Sequence, residues 1–143
     1  MAVQPAYVVL HTMVGTVDGA NTRFQRPSEQ ASATYGIGLD GRIYQWVDEK
    51  DGAWANGANH NPGANMDSIS IEHEDAGNYN GPRTPELYAA SARLVREICQ
   101  RYGIPIDRHH ILKHLECNGA STACPDALDV EGIVGWWPRR PAR

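Results

Sequence analysis

The sequence predicts an α/β fold, a single domain in which a central mixed β-sheet is flanked by helices. Three observations lead there. Short β-rich runs and amphipathic stretches follow one another in the order β, ββ, β, α, β, α. An Asp40-Gly41 pair separates two β-rich runs, the chemistry of a tight antiparallel hairpin. A length of 143 residues, 41% of them hydrophobic and 21% charged, suffices for one core and not for two. The expected domain is the whole chain, with its core over residues 6–137 and a basic tail or linker stump over 138–143.

Taken in order, residues 6–12 read as a buried strand because Tyr7-Val8-Val9-Leu10 is apolar without helical spacing. Residues 14–30, rich in Gly, Thr, Asn and Pro, read as loop with at most a short helix. The hairpin pairs residues 33–38 with 43–47. Residues 51–67 hold many Gly and Asn and read as a long loop carrying Trp54 and His60. In Ser68-Ile69-Ser70-Ile71-Glu72 the two Ile point one way while Ser68, Ser70 and Glu72 point the other. Thr84-Pro85-Glu86 supplies an N-cap and a first-turn Pro, and Leu87, Leu94, Val95, Ile98 and Tyr102 form a stripe that ends at Gly103. A further strand leads to His114, and a last helix is expected from about Pro125 to Trp136, stopped by Pro138.

Composition excludes several classes. A net charge of −4 argues against a nucleic-acid partner, which needs a clustered basic surface. The one such cluster, Arg139-Arg140-Pro141-Ala142-Arg143, is broken by Pro and reads as solvated. No run is long and apolar enough to span a membrane, and the N-terminus lacks the pattern of a signal peptide, so synthesis in the cytoplasm is expected. Three cysteines do not make a disulfide framework; Cys99 falls in the helical stripe as core packing, and pairing of Cys117 with Cys124 is a minor alternative.

The densest chemistry lies between His109 and Pro125, where His110, His114, Cys117 and Cys124 gather borderline and soft metal ligands. Two metal readings arise. His114 and Cys124 join His11, at the end of the first strand, in a three-ligand site whose open fourth position holds a water, as catalytic zinc requires. Alternatively His110, His114, Cys117 and Cys124 form a closed local cage. A buried thiol with hydrogen-bonded histidines and no metal is the third reading, and spacing alone does not choose.

A resemblance does. Val8-Val9-Leu10-His11, Ser32-Ala33-Thr34-Tyr35 with Asp40-Gly41, Ala53-Trp54, Ser70-Ile71-Glu72, and His114 with Thr122-Ala123-Cys124-Pro125 occur in one order. Through them the chain, from about Tyr7 to Pro125, resembles the zinc N-acetylmuramoyl-L-alanine amidases, a group that includes phage endolysin amidases and the peptidoglycan recognition proteins. The resemblance implies one catalytic Zn2+ held by His11, His114 and Cys124, with Glu72 as the catalytic carboxylate. It implies hydrolysis of the amide between N-acetylmuramic acid and L-alanine in bacterial peptidoglycan or muropeptides. The small size and the lack of a signal pattern fit a phage lysis enzyme that acts on the cell wall after phage-assisted release, a cytosolic recycling amidase is also compatible, and a monomer is expected. A recognition module that binds wall fragments without cutting them, and a zinc peptidase cutting within the stem peptide, are the alternatives.

Three positions depart from the family pattern. Thr34 stands where relatives often have His, Ala55 where many have His, and Thr122 where several have Lys. Thr122 then offers an oxyanion one hydrogen bond and no positive charge. Tyr35, Trp54, Asn56, His60 and His73 are the expected substrate contacts, the Trp as a face for a sugar ring and the amides for its hydroxyls or the peptide.

Overall fold

The structure is a computed structural model and describes residues 5–24, 33–51, 67–117 and 120–136. Five strands form one sheet in the order β3-β2-β4-β1-β5. They are β1 (Tyr7–Thr12), β2 (Tyr35–Ile37), β3 (Ile43–Gln45), β4 (Ser68–His73) and β5 (Ile111–Lys113). Strands β2, β4, β1 and β5 are parallel to their neighbours, and β3 alone runs antiparallel, to β2. The sheet is therefore mixed, as the element order predicts.

The β2–β3 hairpin turns through Leu39-Asp40-Gly41. Gly41 sits at φ +86, where a Cβ would meet backbone of the Glu86 turn, and the Asp40 carboxylate accepts from the Arg42 N–H at 2.9 Å. Both features are what the Asp-Gly pair supplies. The strands are shorter than the β-rich runs, but the Trp46 N–H still donates to the Thr34 carbonyl at 2.9 Å beyond their end.

One face of the sheet is covered by α2 (Pro85–Tyr102). Thr84 caps it: its hydroxyl accepts from the Leu87 N–H at 3.1 Å and donates to the Leu39 carbonyl, which ties the helix start to the hairpin turn. Gly103, at φ 66, closes it in the left-handed region. Leu87, Val95 and Ile98 pack with Val8, Leu10, Ile37, Ile69, Ile71 and Ile111, all fully buried. Each such side chain contributes about 1.5–3 kcal/mol, so this layer dominates the stability. Cys99 belongs to it, as expected.

The opposite face carries two smaller clusters. Val9, Leu112 and Cys117 form one, and Met13, Val17 and Ala20 form the other beneath α1 (Val17–Phe24). The expected last helix is much shorter than predicted. Residues 124–127 turn, with Asp126 at φ 55, and α3 spans only Val130–Val134, capped by the Asp129 carboxylate on the Gly132 N–H at 2.9 Å. The competing signal was Asp129, an N-cap inside an otherwise helical pattern.

Candidate active site

Three parallel strands, β4, β1 and β5, end at the same edge of the sheet, the edge where parallel α/β sheets expose their functional side chains. Glu72 is the penultimate residue of β4, His11 the penultimate residue of β1, and His114 opens a short 3-10 turn (His114–Glu116) directly after β5. His11 and Glu72 are register partners, so their side chains leave the same face. Cys124 arrives from the loop before α3; its carbonyl accepts from the Leu115 N–H at 3.0 Å, which fastens that loop to the 3-10 turn.

The ligand atoms of His11, His114 and Cys124 all lie within 4.8 Å of one another. Cys124 Sγ is 3.9 Å from His11 Nδ1, and the two imidazole centroids are 4.4 Å apart. A tetrahedral zinc with Zn–N of about 2.1 Å and Zn–S of about 2.3 Å separates such a pair by roughly 3.6 Å. The donor set therefore fits that ion in chemistry and in spacing. Burial pushes the Cys124 thiol up to about 12, and it is the proximity of a cation that would make it a thiolate. The Thr12 N–H points at the sulfur from 3.2 Å, a donor suited to that charge.

Glu72 completes the arrangement. Its side chain is 12% exposed, Oε1 lies 3.9 Å from His11 Nδ1, and Oε2 is buried without a hydrogen-bond partner. Burial lifts its carboxyl to about 8, with Arg23 pulling the other way. A buried polar oxygen left without a partner is costly unless something binds there. On its other side Glu72 pairs with Gly36 of β2, and the Trp46 ring lies across that glycine so closely that a Cβ would come within 2.1 Å of Cη2.

Behind the ligands lies a buried polar brace. Arg83 Nη2 donates to Thr12 Oγ1 at 2.5 Å, and that hydroxyl donates to Asp75 Oδ2 at 2.6 Å. Asp75 also accepts from the N–H groups of Val14, Gly15 and Gly77. Burial opposes ionisation of Asp75, but these hydrogen bonds outweigh it and hold its carboxyl below the usual range.

A groove of about 560 Å³ opens over these groups, with Val14, Arg23, Phe24, Tyr79, Thr122 and Asp126 around it. Thr122 is on the groove, and its hydroxyl accepts from the Cys124 N–H at 3.1 Å. The local cage does not form. His110 Nδ1 pairs with Asp107 at 2.7 Å, and Cys117 is buried against Val9 and Leu112. All three cysteines are free, so the Cys117–Cys124 pairing is also absent.

Two expected substrate contacts are corrected. His73 shares the parity of Ile69 and Ile71, so it points under α2, fully buried, with Nδ1 on the His11 carbonyl at 2.9 Å and Nε2 on Ser91 Oγ at 2.7 Å. Tyr35 likewise faces α2, and its hydroxyl donates to Glu49 Oε2 at 2.7 Å; burial and that bond hold its proton on. Trp54, Asn56 and His60 lie outside the described residues, as does Ala55. Thr34 is buried and exchanges hydrogen bonds with Ser70 rather than facing the groove. Sequence reasoning missed Val14, Arg23, Phe24, Tyr79 and Asp126. Of these only Phe24, the one Phe in the chain, carried a signal.

The profile of the N-acetylmuramoyl-L-alanine amidase family matches residues 1–127. The chain belongs to that family. Within it, the N-acetylmuramoyl-L-alanine amidase A of Achromobacter lyticus is 42% identical over 106 residues, which are 71% of this chain and 55% of that protein. This amidase-family chain therefore spans about half the length of that relative. Among solved structures it is similar to PlyL, at 21% identity and a TM-score of 0.74, covering 93% of this chain and 83% of that one. It is also similar to the amidase AmiD of E. coli in complex with anhydro-N-acetylmuramic acid-L-Ala-D-gamma-Glu-L-Lys, at 24% identity and a TM-score of 0.69, covering 82% of this chain and 51% of that one. At these identities the two structures show a shared fold.

Proposed function

We propose that the chain hydrolyses the amide joining the lactyl group of N-acetylmuramic acid to L-alanine of the stem peptide, in peptidoglycan or released muropeptides, with one zinc ion as cofactor. The observation that carries this is the convergence of His11, His114 and Cys124 within 4.8 Å beside Glu72, whose buried Oε2 has no hydrogen-bond partner. Membership of the amidase family supplies the reaction type.

Zinc held by His11, His114 and Cys124 would polarise the scissile carbonyl and lower the pKa of a water. Glu72 takes the proton of the attacking water and returns it to the departing alanine nitrogen, so one carboxylate serves as base and then as acid. Its place fits that work, because it stands within 3.9 Å of a ligand nitrogen without belonging to the ligand set. The Thr122 hydroxyl, having accepted from the Cys124 N–H, keeps its own O–H to donate toward a developing oxyanion. The Thr12 N–H stabilises the sulfur, and the Asp75–Thr12–Arg83 brace holds that amide in position.

The cellular role we infer is a phage lysis enzyme, or the catalytic part of a longer lysin. The resemblance to endolysin amidases supports it. No helix of the described residues is long and apolar enough to cross a membrane.

Mass spectrometry of purified peptidoglycan, digested with and without a chelator, tests the reaction. New alanine amino termini and peptide-free muramic acid are expected, abolished by chelation and restored by added zinc. Cleavage confined to bonds within the stem peptide, or no new ends at all, would overturn the reading.

A further inference from the structure

The groove has a second feature that the reaction as described does not use. Arg23, in the last turn of α1, is its one permanently charged cation among the described lining residues. The side chain is exposed and rests against an aromatic wall. Its guanidinium carbon lies 4.9 Å from the centroid of the Phe24 ring, and Phe24 meets Trp46 edge-on at 4.8 Å. Trp46 is fixed in turn, with its ring across Gly36 and its Nε1–H donating to Asn21 Oδ1 at 2.9 Å. A cation over an aromatic face keeps its charge while giving up little of its reach. Among the described residues Arg23 takes part in no ion pair. It lines the same groove as Glu72, and its positive charge favours the ionised form of that carboxyl. Asp126, the other charged lining residue outside the reaction centre among the described residues, follows Cys124 by two positions.

The chain as a whole is anionic, with a net charge of −4. An anionic substrate gains nothing from that overall charge, so among the described residues Arg23 is where a groove shared with the ligand set offers it attraction. The stem peptide offers a matching group. A glutamate linked through its γ-carboxyl leaves its α-carboxylate free, and one that follows L-alanine places that anion roughly 7 Å along an extended chain from the cleaved bond. A planar guanidinium takes such a carboxylate through two parallel hydrogen bonds.

We propose that Arg23 is a substrate-positioning residue that binds the free α-carboxylate of the γ-linked glutamate in the stem peptide and thereby selects stem peptides in which that group is a carboxylate and not an amide. The inference rests on the amidase reading above. It assigns to α1 a role in specificity, distinct from the bond-breaking groups on β1, β4 and the Cys124 loop.

The test uses two synthetic substrates, N-acetylmuramoyl-L-Ala-D-γ-Glu-L-Lys and the same compound with the glutamate α-carboxylate converted to the carboxamide. Steady-state constants are measured for the zinc-loaded parent, Arg23→Gln and Arg23→Lys. The parent is expected to favour the carboxylate substrate by roughly tenfold in kcat/KM, mainly through KM, the scale of one charge-assisted contact. That preference should shrink as ionic strength rises. Arg23→Gln should lose it by raising KM on the carboxylate substrate alone, and Arg23→Lys should keep part of it. If Arg23→Gln retains the parent's preference, or lowers kcat equally on both substrates at unchanged KM, the inference is overturned while the amidase reading stands. If the parent cleaves neither substrate, the amidase reading falls and takes this inference with it.

Discussion

His11 and Glu72 face each other across adjacent parallel strands, with His11 Nδ1 3.9 Å from Glu72 Oε1. The pairing puts a carboxyl group beside a candidate ligand nitrogen at the open edge of the sheet, and strand register brings the two residues side by side.

Glu72→Gln should keep stoichiometric zinc and lose at least about a hundredfold in turnover, the usual scale of general acid–base help. The same change should stabilise the chelated protein at pH 8. Burial raises the Glu72 carboxyl from 4.5 to about 8, so the metal-free fold is favoured below pH 4.5 and loses that advantage as pH climbs through 8. Gln removes the titration. Metal analysis, steady-state kinetics and a melt of the chelated variant check all three, and parent-level turnover would remove Glu72 from the mechanism.

The ligand set separates from the local cage by substitution. His11→Ala, His114→Ala and Cys124→Ser should each lower zinc content, whereas Cys117→Ser should leave it near normal. Zinc bound only by the folded chain should raise Tm on the order of 10 °C at saturating metal. The three ligand variants should lack that increment in paired melts with and without zinc. Loss of zinc from Cys117→Ser alone would point back to the cage.

His73 makes the fold acid-sensitive. Its Nδ1 sits on a carbonyl, which can only accept, so the neutral ring carries its proton there and Nε2 accepts from the Ser91 hydroxyl. Burial drives its pKa from 6.5 down to about 4. The unfolded chain therefore binds this proton first: the contribution is fully present above pH 6.5 and is lost as pH falls toward 4, by at most roughly 3 kcal/mol. Melting of chelated His73→Asn across that range should show a flatter acid limb than the parent, from a lower plateau.

Gly36→Ala should cost about 1–3 kcal/mol, because the added methyl collides with the Trp46 ring and must expel it. Combined with Trp46→Leu, the loss should be less than the sum of the two single changes, since both act on one contact. Thermal melts of the double-mutant cycle measure the coupling. Simple additivity would show that the ring does not depend on the glycine.

How much of this was legible in the residues differs by element. The hairpin, the capped helix α2 and strands β1 and β4 were, because Asp-Gly, Thr-Pro-Glu and period-two alternation act over a few residues of chain. The alternation in β4 even implied that His73 faces away from Glu72; assigning it to substrate set that rule aside. The helix α1 was not legible, since it buries only Val17 and Ala20 and gives no clear stripe.

The sequence by itself determined the sheet-and-helix class, the ordered motifs of the amidase family and the shortlist of nitrogen, sulfur and carboxylate groups. Local chemistry carries that information, and local chemistry is written in neighbouring residues. Only the tertiary structure decided which of those groups meet. His110 and Cys117 lie closer in sequence to His114 than His11 does, yet one turns to Asp107 and the other into the core. His11, 113 residues from Cys124, comes within 3.9 Å of its sulfur because parallel strand pairing aligns distant strand ends. The same pairing, and the packing of Phe24 on Trp46 over Gly36, brought Arg23 to the groove from a stretch that had read as loop.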